Sequence, residues 1–88
     1  MLVELDASLD VDLTTVDITG CEYLQVVYCG GSALTQTSVD ALLVELAANG
    51  LTSGTCCLDG GTNAAPGSAG LAAIDILETN LWYVTYNT

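Results

Sequence analysis

The sequence predicts a small α/β domain in which short parallel strands alternate with helices that cover one face of the sheet. Three observations lead there. Strand-like and helix-like patterns alternate through residues 24–88, a double glycine recurs as Gly30-Gly31 and Gly60-Gly61, and short apolar segments recur earlier with a step of 11 residues. Strand, helix, strand, helix, strand implies a parallel sheet joined by right-handed crossovers. At 88 residues the chain makes one such domain.

Residues 1–23 are predicted as short rungs. "LVELDA" from Leu2 to Ala7, "LTTVDI" from Leu13 to Ile18 and "LQVVYC" from Leu24 to Cys29 align at the 11-residue step, so that Leu2, Leu13 and Leu24 share one position and Leu5, Val16 and Val27 the next. Alternating apolar residues over so short a segment suit a strand with one face buried. From Leu24 the repeat lengthens to about 30 residues, and residues 24–88 hold two strand-helix units and a final strand. The first of these strands is Leu24 to Cys29, followed by Gly30-Gly31, where the chain turns sharply.

The first helix is marked by Thr37 with Asp40 three residues on, a pattern that resembles a capping box. Val39, Leu42, Leu43 and Leu46 follow at helical spacing, and Asn49-Gly50 is a stop signal. Thr55 to Asp59 reads as the next strand. Pro66 near a first turn, a buried stripe of Leu71, Ile74 and Leu77, and Asn80 beyond the end define the second helix. Gly70, Ala72 and Ala73 thin its bulk and allow close approach to the sheet. Trp82 to Tyr86 is the last strand.

Composition says that the chain folds and limits what it does. Hydrophobic residues make up 51% of it, too many for a disordered acidic tail, although the formal charge is −11. A chain this short buries only about 60–65% of its unfolded surface, so its stability margin is small and neighbours are expected to reinforce it. There is no Lys, Arg or His. Nucleic acid is therefore excluded as a partner, because binding a phosphate backbone depends on cations that displace counterions. Glu45, Asp59, Asp75 and Glu78 interrupt every candidate membrane span, and the start of the chain has no basic region of a signal peptide. Synthesis in a cytosol is the expectation.

"LTTVDITGCEYLQVVYCGGSALT" resembles a leucine-rich repeat of the bacterial and phage type, in which L-x-x-L-D-V and L-x-x-L-x-C segments alternate at about ten or eleven residues. The continuation "SVDALLVELAANGLTSGTCCLDGGTNAAPGSAGLAAIDILETNLWYVTYN" resembles a leucine-rich-repeat-like module near the ends of tail, fibre and other structural proteins of bacteriophages. Here Leu81 stands where that module would have a glycine before Trp82, and the module's usual basic residues are missing. The resemblance implies a small leucine-rich-repeat-like solenoid over residues 1–88. It also implies a structural protein of the virion, made in the host cytoplasm.

Chemistry is weighed on the same residues. General acid/base work at neutral pH usually recruits His or Lys, and a nucleophilic cysteine needs an activating base, so no enzyme and no catalytic residue is expected. Cys21, Cys29, Cys56 and Cys57 lack metal-ligand spacing and read as small apolar fillers; a bridge between Cys29 and Cys56 requires like positions on neighbouring strands. Asp6, Asp10, Asp12 and Asp17 invite a calcium proposal, but no EF-hand pattern accompanies them and a solvated face is the simpler reading. No cofactor and no metal site is predicted.

The last strand carries Trp82, Tyr83, Val84 and Tyr86 with no charge, whereas an edge strand in a monomer is normally blunted. Trp82, Tyr83 and Tyr86 are thus the candidate interaction residues, with capping of the final core as the alternative for Trp82. A repeat stack needs about three units and polar ends to stand alone. The expected function is a non-enzymatic decoration or accessory subunit of a capsid or tail, docking on other virion proteins or on copies of itself as a homo-oligomer or part of a larger assembly. The alternatives are a binding module for a host or cell-surface ligand and an acidic mimic of DNA. Against the mimic, six of the eleven carboxylates crowd the first 22 residues and the rest are scattered.

Overall fold

The structure, a computed structural model, describes residues 4–6, 13–16, 18 and 20–87. Its elements are β1 (Glu4–Asp6), β2 (Val26–Tyr28), α1 (Gln36–Asn49), β3 (Thr55–Leu58), α2 (Ser68–Thr79) and β4 (Tyr83–Tyr86). The four strands form one parallel sheet in the order β1-β2-β3-β4. This is the α/β class with the parallel sheet that the sequence predicts. Leu5, Val27, Cys56 and Val84 lie side by side across the strands and point into a core shared with both helices.

The 11-residue step has a different meaning from the one expected. Leu5 pairs directly with Val27, two such steps along the chain. The intervening segment 13–16 is not a strand. It runs beside the turn that follows β2, where the carbonyls of Leu13 and Thr14 accept from the N–H groups of Ala33 and Thr35 at 2.9 and 3.1 Å. One step therefore leads from a strand to the segment beside the turn after β2, and two steps lead from β1 to β2. The same side-by-side bonding recurs one unit later, where Thr62 and Ala64 donate to Ser32 and Leu34 at 3.0 and 2.9 Å.

The double glycines stack on each other. Gly31 and Gly61 both have left-handed backbones, with φ of 74° and 58°. A Cβ on Gly61 would lie 2.5 Å from the carbonyl carbon of Gly31, so no larger residue fits the turn at this spacing. Beneath the turns sits Asn63, a buried amide. Its Oδ1 accepts from Leu34 N–H at 2.8 Å, and its Nδ2 donates to the carbonyls of Cys29 and Leu58 at 2.8 and 3.0 Å. Asn87 plays a matching part at the last rung, bonding Gly60 and the carbonyl of Asn63.

Helix α1 buries Val39, Leu42, Leu43 and Leu46, the stripe expected of it, and closes on Gly50 in the left-handed region with φ 72°. Its start differs from expectation. Thr35, not Thr37, is the N-cap, accepting from Ser38 N–H at 3.2 Å, because the bond from its own N–H to Thr14 already holds its backbone extended. Asp40 is thereby released from the capping box and turns to the neighbouring helix. Its Oδ1 accepts the N–H of Gly67 at 2.8 Å. Gly67 is the N-cap of α2 and has no side chain to cap with, so α1 supplies the carboxylate that the positive end of α2 attracts.

Helix α2 begins at Ser68, with Pro66 buried ahead of it, and buries Gly70, Ala73, Ile74 and Leu77. Leu71 is 46% exposed and does not belong to the buried stripe. The buried face includes Gly70 instead, at a position where any side chain would collide with Asp40 of α1. The helix ends in a Schellman arrangement: Leu81 N–H donates to Glu78 O at 3.0 Å and Trp82 N–H to Leu77 O at 2.9 Å. Leu81 adopts φ 67° with its side chain in solvent, so the turn expected of a glycine forms around a leucine.

Two outcomes follow for stability. Asp40→Ala should cost about 1 kcal/mol in denaturant melts, the usual worth of an N-terminal cap. Leu81→Gly should instead raise stability by about 1 kcal/mol, because the left-handed backbone is strained for leucine and not for glycine.

Candidate interaction surface

Side chains alternate across a strand, so the residues flanking the core row point to the opposite face of the sheet. Two rows result from the register, one of Glu4, Val26, Thr55 and Tyr83 and one of Asp6, Tyr28, Cys57 and Thr85. Both helices pack on the other side. Glu4, Asp6, Tyr28 and Tyr83 are exposed, and Asp59 beside them accepts the hydroxyl of Thr85 at 2.7 Å. The surface thus combines tyrosine rings with carboxylates and contains no cation.

The three residues singled out in the last strand separate. Trp82 is 4% exposed and closes the core: its ring occupies the space over Gly54, where a Cβ would lie 2.5 Å from three ring atoms, and its Nε1 donates to Leu51 O at 2.8 Å. Tyr83 is 65% exposed on the helix-free face. Tyr86 is half-buried and packs against the core from the inner face. Tyr28, on the same open face as Tyr83, is an exposed aromatic that the sequence reading did not single out. Strict alternation outward from the buried Val27 would have found it.

The backbone of β4 adds a second feature. Tyr83 N–H donates to Gly54 O at 2.9 Å, so Tyr83 spends its main-chain groups on β3. In a parallel ladder the hydrogen-bonding direction alternates along the strand, which turns the N–H and C=O of Val84 and Tyr86 toward the outer edge. Among the described residues no strand pairs with that edge.

Elsewhere, α1 and α2 enclose a shallow apolar groove of about 320 Å³ lined by Val44, Ala47, Ala48, Ala69, Ala72, Ala73 and Ile76. Among the described residues no group of three or more His, Cys, Asp or Glu side chains is placed to hold a metal. Asp10, Asp12 and Asp17 lie outside the described residues. No helix is long and apolar enough to cross a membrane, again among the described residues.

The cysteines divide by face. Cys29 and Cys56 are fully buried, while Cys57 points to the open face between Tyr28 and Thr85. Cys56 pairs with Val27, and Cys29 N–H bonds to Cys57 O, so Cys29 and Cys56 do not occupy the like positions that a bridge requires. All four thiols are free. Burial pushes the Cys29 thiol up to about 11, with the carboxylate of Asp6 adding to it, and burial drives Cys56 higher still.

Comparison of the chain with models of known protein families, with curated proteins and with solved structures finds no match. The surface itself is therefore the guide to function.

Alkylation followed by mass spectrometry should modify Cys57 in the native protein and spare Cys29 and Cys56 until denaturant is added. Raising the pH has a defined sign. The unfolded thiols ionise near their ordinary value of 9.0 and the folded ones well above it, so the folded state is favoured below that pH and loses stability as pH climbs from 9.0 through about 11.

Proposed function

We propose that the chain is a non-enzymatic structural protein of a phage virion, a leucine-rich-repeat-like decoration or accessory subunit that docks on another component of the particle. The observation that carries this reading is the uncharged edge of β4, which offers the main-chain groups of Val84 and Tyr86 beside the exposed Tyr83. A free-standing monomer would blunt such an edge with lysine, proline or a bulge. Repetition supports the solenoid half of the reading. Leu24, Val27, Cys29, Ser32 and Leu34 are all buried at the spacing of a leucine-rich repeat, with Ser32 where that repeat places asparagine. The bonds beside the turns and the amides of Asn63 and Asn87 tie each unit to the next, as a stack of such repeats would require.

A second reading is a module that binds a host or cell-surface ligand through the open sheet face. It is favoured by Tyr28 and Tyr83, exposed on a face that no helix covers.

Proteomics of purified particles distinguishes the two, with a protease other than trypsin because the chain has no Lys or Arg. A decoration subunit should appear in fixed, high copy number. A ligand-binding module should appear in few copies at fibre tips and bind cells when isolated. Absence of the chain from particles would refute both virion roles.

A further inference from the structure

The end of the stack at β4 has a helical half as well as a strand half. Helix α2 meets α1 through the flank that carries Ala69, Ala73 and Ile76, with Gly70 against Asp40, and it faces the core through Ile74 and Leu77. Its remaining flank, by helical spacing, carries Leu71, Asp75 and Glu78. All three are exposed. The corresponding flank of α1, with Asp40, Val44 and Ala47, is the one that α2 covers. Leu71, Asp75 and Glu78 therefore occupy the surface on which a following unit would pack.

Helix α2 packs on β4, and on the far side of the sheet Asp59 stands beside Thr85. An added strand would thus find free main-chain groups at Val84 and Tyr86, two carboxylates toward the helices and one on the open face. A second copy is a poor occupant. Stacked head to tail it would bring Glu4 and Asp6 of its own β1 to this end, and each chain carries a formal charge of −11 with no cationic side chain to offset the repulsion.

The geometry points to a strand of a different protein, one carrying Lys or Arg on alternate positions, that adds to β4 in the plane of the sheet. Its main chain bonds Val84 and Tyr86, and its cations, which alternate positions place on one face of the added strand, reach Asp75 and Glu78 on the helix side. This inference rests on the reading of β4 as a docking edge and names the chemistry of what docks there.

The test uses the whole chain and three short synthetic peptides: one alternating lysine with valine, the same peptide methylated on alternate backbone nitrogens, and one with glutamate in place of lysine. The first should bind, weaken as salt is added, and slow the exchange of the Val84 and Tyr86 amides. The methylated peptide keeps the charge and loses main-chain donors, so it should bind at least about tenfold more weakly. The glutamate peptide should not bind. Equal binding by the first two would reveal adsorption by charge alone and overturn the inference, as would no binding or unchanged exchange at Val84 and Tyr86. Protection of those amides by protein concentration alone would overturn it in favour of a second copy. A chain present at fixed copy number in particles yet indifferent to all three peptides would retain the virion role and remove the strand partner.

Discussion

With no Lys, Arg or His, a carboxylate in this chain can be met only by N–H groups, hydroxyls and water. That constraint organises the structure. Buried ion pairs are unavailable, so the interior is joined by neutral amides: Asn63 links the ends of β2 and β3 to the turn at Leu34, and Asn87 repeats the device at the last rung. A neutral amide costs far less to bury than a charge and can still serve several partners at once. No buried side-chain nitrogen or oxygen among the described residues lacks a hydrogen bond. The carboxylates are left to the rim, and the one that does most for the fold, Asp40, is matched by a helix N-terminus and not by a cation.

The same economy of side chains appears in the stacking of the units. Gly31 and Gly61 meet backbone to backbone, and Gly54 leaves a gap that the indole of Trp82 fills. Beside β4 a large ring with one polar atom does this: its face covers the core while Nε1 bonds to Leu51 O. Using Trp82 in this way takes its ring almost wholly out of solvent. Tyr83 then remains the aromatic that β4 presents to solvent.

Periodicity made most of the fold legible. The stripe of Val39, Leu42, Leu43 and Leu46, the glycine stop of α1 and the three strands from Val26 onward are local patterns, and local patterns survive because packing agrees with them. What was misread depends on contacts distant in sequence. Thr35 rather than Thr37 caps α1 because Thr14 holds its backbone, and position 70, not 71, faces inward as a glycine fitted against Asp40. The segment from Leu13 copies a strand pattern, yet β2 already lies against β1, so it lies beside the turn after β2. The open face was half legible: Tyr83 was evident as an uncharged edge aromatic, whereas Tyr28 required the register.

The two ends of the sheet differ in a way that bears on assembly. At one end β1 carries Glu4 and Asp6 within a stretch that holds six of the eleven carboxylates. At the other, β4 carries no charge of its own and lies against α2, whose exposed residues include Asp75 and Glu78. Joining unlike ends of identical subunits makes rings or open filaments, and it succeeds when the two ends complement each other. The side chains at these ends are not complementary in charge, because both ends carry carboxylates and no side chain of the protein is cationic. Offsetting the carboxylates at either end therefore takes positive charge that no side chain of this protein supplies.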